Sequence, residues 1–519
     1  MMRYRGKIVD AIFIIIMLQL SATCQRSKGE FQDFTAIEQL PSIDPDYTDT
    51  VIPPNIAPLN FQVKEPGKQY STTISSKNGE DITICSKKSI VDIPIKAWKK
   101  LLDSNRGEQL KIDIYVKDQA DKWNKFKTLT DQIADEDIDG YAVYRIFEPL
   151  YIRSNEMGLY QRNIQTFKET AILKSHRNRS CINCHSFFNN NPDKMFIHMR
   201  GGKVSGTLLA RGGELSVINT STKFNKASGA YRSWHPNGEL IAFSSNIPRQ
   251  GFHSTGLTRE ARDLTSDIIL YNMDSNVIST FPSVARPDRM ESYPAWSHDG
   301  KYLYFCSAPA IDSSTTYEQY KDIKYDLMRI TYEPKTGEWG QPETVLASSE
   351  TGKSIGHPKF SPDGRFLLFT MADYGTLLIF HPEADLYIMD MDTREYHRLD
   401  CNSDDVDSYH SWSSNSRWFI FASKRRDPLC ARLYISYVDE DGKAYKAFLL
   451  PQKDPTFYES FLKTYNVPEL IAKPIGYSER QFTNASLNPG LLVQAQLDPK
   501  VKLDHVTGAT AKADAPYSH

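Results

Sequence analysis

Four stretches of this chain repeat one pattern: "YRSWHPNGELIAFSSN" from Tyr231, "YPAWSHDGKYLYFCSA" from Tyr293, "HPKFSPDGRFLLFTMA" from His357 and "YHSWSSNSRWFIFASK" from Tyr409. Each has an aromatic residue: Trp234, Trp296, Phe360 or Trp412. A polar turn follows, with Gly238, Gly300 or Gly364 in the first three. Then comes an alternating strand that ends in Phe and small residues. Period-two alternation on both sides of a turn that needs positive φ is a β-hairpin signal. The aromatics are 62, 64 and 52 residues apart. A hairpin repeated at that period predicts the blades of a propeller, because a β-sandwich has no reason to repeat one motif so regularly.

The second half of each unit is also legible. Outer hairpins are expected at "DIILYNMDSNVISTF" from Asp267, "DLMRITYEPKTGEWGQPETVL" from Asp326, "DLYIMDMDTREYHRL" from Asp385 and "RLYISYVDEDGKAYKAFLL" from Arg432. Two earlier segments match them, "GLYQRNIQTFKETAIL" from Gly158 and "GELSVINTSTKFNKAS" from Gly213, and strand-like runs precede both. The expectation is six blades over residues 140–450, the first two degenerate. The motif "FSPDGRFLLF" at Phe360 resembles the TolB-like six-bladed propeller family. That resemblance implies an all-β fold and a binding scaffold; it does not name a function.

Ahead of the propeller, residues 51–133 read as a separate domain. Short alternating runs such as "YSTTISS", "DITICS" and "LKIDIYVK" predict an immunoglobulin- or fibronectin-like β-sandwich, with a short helix at "IKAWKKLLD". Residues 25–50 are polar and contain proline, as expected of a linker. Residues 451–519 read as a C-terminal extension, and "PTFYESFLKTYNVPELI" as helical.

The first 24 residues have the order of a secretory signal: Arg3, Arg5 and Lys7, an apolar run centred on 12–20, then small residues. The ending "SATC" resembles a bacterial lipoprotein signal, which implies acylation of Cys24 and a membrane lipid anchor. A plainly cleaved signal and an uncleaved anchor are the alternatives. The expected location is the cell envelope, as a periplasmic or outer-membrane lipoprotein. A formal net charge of −2 gives no sign of a nucleic-acid partner.

That compartment matters for "SCINCHSF" at 180–187, which gives Cys181, Cys184 and His185 the spacing C-x-x-C-H. With seven Cys and twelve His in 519 residues, chance is a poor explanation. A zinc site would want a second ligand pair at suitable spacing. A redox dithiol belongs at a helix start in a βαβ unit. One covalent haem c suits both the motif and the compartment. Two thiols at this spacing can reach two vinyl groups of one porphyrin, and His185 is then the proximal iron ligand. A structural disulfide and a metal knuckle stay open as alternatives. The sixth ligand is expected at His198, with Met195 or Met199 as alternatives and His176 more remote. In a strand the two methionines face one way and His198 the other. Among the other cysteines, Cys401 and Cys430 are candidates for a disulfide, and Cys306 reads as a buried strand residue.

The arrangement of Gly158 to Asn163, Asn183 to Phe187, Met195 to Gly202 and Gly206 with Thr207, followed by TolB-like repeats, resembles a set of Bacteroidetes outer-envelope lipoproteins. They combine a propeller with a cytochrome c-type motif. The resemblance implies the architecture and the haem, and supplies no reaction. A haem in a loop on the propeller rim, or in an insertion at 174–202, suits electron transfer or redox sensing with an unknown redox partner or envelope protein. A second expectation is a binding scaffold. Tyr231, Tyr293, His357 and Tyr409 occupy equivalent repeat positions and should cluster at one channel mouth, where they could bind a peptide, a glycan or a partner loop. A catalytic serine elbow is not apparent. If the chain is an enzyme, haem peroxidase-like chemistry is the reading left, and no catalytic residue is assigned.

Overall fold

The computed structural model describes residues 33–149, 156–251, 260–311 and 314–502. The leader and Cys24 lie outside the described residues. Among those described, no helix is long and apolar enough to cross a membrane.

Six sheets of four or five strands follow one another around a ring, and each is a blade. In blades three to six the inner strands are Ala230–Trp234, Arg289–Trp296, Ser354–Phe360 and Asp407–Trp412. The next strands outward are Leu240–Gly251, Tyr302–Pro309, Phe366–Ala372 and Trp418–Ser423. The repeat glycines sit in the connecting turns, and Gly300 has a φ of 71°. The fourth repeat has no glycine there, and Ser416 takes the left-handed position instead, at φ 61°. Each repeat aromatic leans on the blade before it. Trp234 stacks on Phe196 at 4.7 Å between ring centroids, and Tyr304 meets Phe360 edge-on at 4.9 Å. Such aromatic contacts join the aliphatic residues that fill the space between blades.

Three expectations about the propeller are corrected by the strand pairing. The segment 181–200 is neither a rim loop nor an insertion. Cys181–Phe188 and Asn191–Arg200 are the first two strands of blade two, paired antiparallel, with Cys181 opposite Arg200. The run "MFIHMR" needs a ladder partner on its inner side, and the cysteine segment supplies it. Second, the outer hairpin of blade two is Gly206–Arg211 with Glu214–Asn219. Residues 220–229 return to the ring without forming another strand.

Third, of the tail segment expected to be helical only Phe457–Ser460 forms a helix. Thr464–Ile471 is a strand, and it is the innermost strand of blade one, paired with Tyr141–Phe147. The other two strands of that blade, Gly158–Asn163 and Glu169–Lys174, come from the start of the propeller. A ring of sheets has two free edges until its ends meet, so this strand is recruited from the tail to cover one of them. The tail then adds Leu492–Gln494 in parallel to the outer edge of blade two and Gln496–Leu497 to that of blade three.

The N-terminal domain is a β-sandwich of a seven-stranded and a three-stranded sheet, with helix Ile95–Asp103. Trp98, Leu101 and Leu102 of that helix are buried. The domain starts earlier than the sequence suggests. Phe34–Ile37 pairs in parallel with Trp123–Phe126, and Ile43–Asp44 with strand Phe61–Val63. The polar composition of 33–50 reflects edge strands. The domain is fixed to the ring: Trp418 donates to the Glu136 carbonyl at 3.2 Å, Arg426 pairs with Asp44 at 2.7 Å, and one buried apolar cluster runs from the sandwich into blades one, five and six.

Candidate functional site

All six inner strands have a β-bulge at the same height. The register slips at Ile182/His185 in blade two, which slips a second time at Phe187/Phe188, and at Ala230/Ser233, Ser292/Ala295, Gly356/Lys359 and Ser408/Ser411 in blades three to six. In blade one the slip falls opposite Asn466 and Glu469. A bulge puts two residues against one and re-aims their side chains. Here the bulged residues turn toward the propeller axis.

The first bulged residue is Tyr231, Tyr293, His357, Tyr409 or Val467, and each has a left-handed φ, between 44° and 53°. That conformation is costly for side chains without a local hydrogen-bonding group. The four repeat residues stand side by side in an arc. Tyr231 meets Tyr293 at 4.4 Å between ring centroids, Tyr293 meets His357 at 4.3 Å, and His357 meets Tyr409 at 4.4 Å. The Tyr293 hydroxyl donates to the Thr376 carbonyl at 2.7 Å. Blade two puts Asn183 at this height, with no positive φ.

Beneath the arc is a cavity of about 140 Å³, lined among others by Asn183, Cys184, His185, Arg232, His357 and Glu469. A second cavity, of about 350 Å³, opens on the other side, and Arg232, Lys359 and Glu469 line both. These three residues are the waist of the channel. The arc itself is covered. Leu377, Ile379 and Phe380 of blade five, and Asn246 and Pro248 of blade three's long hairpin, line the same cavity. His381 pins the two covering segments together: Nε2 lies 3.2 Å from the Glu260 carboxylate and Nδ1 3.3 Å from Glu383. Burial lowers the affinity of His381 for a proton, but the two carboxylates outweigh it and bring its pKa to about 9.

His185 is 2% exposed, and neither of its ring nitrogens makes a well-formed hydrogen bond, the Val143 backbone being its nearest polar contact. Its ring meets Phe187 at 5.7 Å. Burial, then the Arg232 charge, bring its pKa down to about 3, so the imidazole is neutral at ordinary pH. Arg232 is 4% exposed. Its Nη1 donates to the Cys184 carbonyl at 2.9 Å and lies 3.4 Å from Cys184 Sγ. Burial alone would raise the Cys184 thiol. The Arg232 cation and the Tyr231 backbone N–H overcome that, and the thiol ends below its ordinary value. Cys181 differs: burial raises it. Its sulfur is 3.9 Å from Met157 Sδ, and it packs on the apolar cluster between blades one and two. Both cysteines are free. Glu469 accepts from the Phe187 N–H at 3.2 Å, and burial carries its pKa to about 7 despite Lys359.

The expected sixth ligands lie elsewhere. His198 is fully buried, with Nδ1 3.5 Å from the Thr207 hydroxyl and Nε2 accepting from Arg200 at 3.2 Å. Met195 and Met199 belong to the core between blades one and two. None of the three is among the described residues that line the channel cavity. His357 is, and both of its ring nitrogens are without a partner. Cys401 and Cys430, proposed above as a disulfide, are free and buried, and the Cys430 thiol lies 3.6 Å from the Leu462 carbonyl. Cys306 is buried in its strand.

Of the donors a haem c would need, the Cys184 thiol and the His185 imidazole line the cavity, while Cys181 packs on the core between blades one and two and does not. The room for a haem is not present. A cavity of about 140 Å³ has the size that takes up a benzene-scale guest, far short of a porphyrin. A haem on these residues needs the arc or its cover to move.

Sequence reasoning missed Arg232, Lys359 and Glu469. For Arg232 and Lys359 the aligned repeats carry the signal, since they stand one and two places after Tyr231 and His357; Glu469 follows Val467 of the closing strand, which no repeat marks.

No family model matches the chain, and no curated protein matches it. Among solved structures it is similar to TolB from Acinetobacter baumannii, at 15% identity over 70% of this chain and 79% of that one, with a TM-score of 0.41. It is also similar to a hypothetical selenium-binding protein from Sulfolobus tokodaii, at 10% identity over 82% of this chain and 99% of that one, with a TM-score of 0.37. The assignment of six blades rests on the sheets themselves.

Proposed function

We propose that this chain is an exported, lipid-anchored propeller protein of the cell envelope. In this reading it carries one covalent haem c on Cys181 and Cys184, with His185 as an iron ligand, and serves electron transfer or redox sensing with an envelope partner. One observation carries the reading. His185, directly after the cysteine pair, is buried in the channel with no well-formed hydrogen bond to either ring nitrogen and only the Val143 backbone nearby. A buried polar group without a partner costs about 1–3 kcal/mol, and a ligand to an absent group is one way to offset that cost.

Haem bound there would supply one-electron redox chemistry. The chain's own residues prepare for it. Burial keeps His185 deprotonated and so able to donate a nitrogen lone pair. Arg232 favours the thiolate form of Cys184, the form that reacts. Because the channel leaves little space, the haem would have to join the chain before Thr464–Ile471 closes blade one, or displace the cover over the arc. His357 is then the cavity imidazole available as a second ligand, in preference to His198.

The test is a visible spectrum and an intact mass of protein made in a host with cytochrome c maturation machinery. A haem band pattern and the added mass of one haem are expected, both lost in Cys181→Ala/Cys184→Ala. Colourless, unmodified protein from a host that matures a control cytochrome would end the reading.

The aromatic arc supports a second reading, a non-catalytic scaffold whose partner reaches the arc when the cover over it is displaced, with any haem mainly structural. Four rings in tilted contact, held in costly backbone conformations, are more than the core of a blade needs.

A further inference from the structure

We infer that the channel holds a binding site for a small oxyanion, centred on the guanidinium of Arg232. Three side chains at least nine-tenths buried line one cavity with unengaged polar atoms: Arg232, His185 and His357. On Arg232 the unengaged atoms are Nε and Nη2, while Nη1 is held by Cys184. Nε and Nη2 share one edge of the guanidinium. That edge makes two parallel hydrogen bonds to the two oxygens of a carboxylate, or of a phosphate-like anion.

The charge balance points the same way. Among the described lining residues, Arg145, Arg200, Arg232 and Lys359 are cations, and Glu469 is the one carboxylate. No described carboxylate lies within ion-pair distance of Arg232. A buried cation in that position costs several kcal/mol unless a counter-charge joins it. The cavity size selects the ligand. About 140 Å³ accommodates a guest of roughly benzene size, so the class is a small carboxylate or inorganic oxyanion rather than a nucleotide or a peptide. The neutral imidazoles of His185 and His357 add hydrogen-bond donors or acceptors on two other sides.

The site needs neither thiol and stands apart from the haem proposal. The same chemistry could nonetheless come from two sources: a free anion, or the propionate carboxylates of a haem attached at Cys181 and Cys184. Calorimetric titration with acetate, phosphate and nitrite separates them. The first arm uses the full-length Cys181→Ala/Cys184→Ala protein, which cannot hold covalent haem and keeps the residue-184 carbonyl bonded to Arg232. Saturable 1:1 binding of at least one probe is expected there. Arg232→Gln in the same background should weaken it by about tenfold or more, and Arg286→Gln on the surface should leave it unchanged. Lys359→Met, at the rim of the waist, gives a milder loss and serves if Arg232→Gln does not fold.

The second arm uses haem-loaded wild type. Retained binding assigns the site to a free anion, and loss of binding assigns it to the propionates. If none of the probes binds the haem-free protein, or if binding is indifferent to both Arg232→Gln and Lys359→Met, the inference is overturned. Colourless wild type with intact anion binding would remove the haem and leave this site standing.

Discussion

Blade two and blades three to six have the same inner-strand bulge and use it in opposite ways. In blades three to six the bulge lifts Tyr231, Tyr293, His357 and Tyr409 into an arc of rings in tilted contact. One face of the channel is thereby filled with rings that support one another. Blade two puts Asn183, Cys184 and His185 at the same height. Its side chains are smaller and polar, and the imidazole makes no well-formed hydrogen bond. The difference teaches where a site can arise in a repeat protein. Regular blades spend the bulge on mutual packing. The blade that departs from the pattern leaves an unfilled sector, and the unengaged donors and acceptors collect around it.

The sharpest way to break this comparison is to delete one residue from each kind of blade. Trp412→Ala in blade six removes a buried ring that also donates to the Lys359 carbonyl at 3.2 Å. It should cost about 3–5 kcal/mol in chemical denaturation. His185→Leu in haem-free protein removes a buried imidazole with no well-formed hydrogen bond, and should be neutral or stabilising by about 1 kcal/mol. A loss at His185 equal to that at Trp412 would mean that blade two packs like the others.

Next in size is the cover over the arc. His381 has a folded pKa of about 9, against about 6.5 unfolded. A group whose pKa rises on folding stabilises the fold fully below its unfolded value and loses that effect as pH climbs through the folded one. The His381 contribution, on the order of 3 kcal/mol, should therefore be whole below about pH 6.5 and gone above about pH 9. Denaturation of wild type and His381→Ala across that window should converge at the alkaline end. A constant gap would show that the pin is not ionic. Since the pin closes over the arc and not over Asn183, its loss should loosen the regular side of the channel first.

The smallest effect is expected at Val467, the blade-one member of the set, a β-branched residue held at φ 46°. Val467→Asn should stabilise by about 1 kcal/mol, since Asn tolerates the left-handed region. Asn183→Gly in blade two has no such strain to release and should not stabilise. Thermal unfolding of the pair would show whether the backbone cost is confined to the blades that bear the regular bulge.

How much of this was readable in advance varies along the chain. The four strong repeats were legible because alternation and turn glycines are local properties. The clustering of Tyr231, Tyr293, His357 and Tyr409 was legible because equivalent positions in a closed ring must meet. The closing strand was not. "TYNVPELI" lies far in sequence from its partner Tyr141–Phe147, and no local pattern marks a strand whose only purpose is to complete a distant sheet. The placement of Cys181–Phe188 inside blade two was hidden for a related reason: its strand character comes from pairing with Asn191–Arg200, and "SCINCHSF" has no regular alternation of its own.

By itself, the sequence determined the blades, the aromatic arc and the spacing of two cysteines and a histidine, because each follows from short-range periodicity or from residue chemistry. Only the tertiary structure decided what those three residues face. It put Arg232, Lys359 and Glu469 around Cys184 and His185 from three other blades, packed Cys181 on the core between blades one and two, and kept the cavity small. Those properties depend on which side chains share a space after the ring has closed, and a linear pattern carries no information about that.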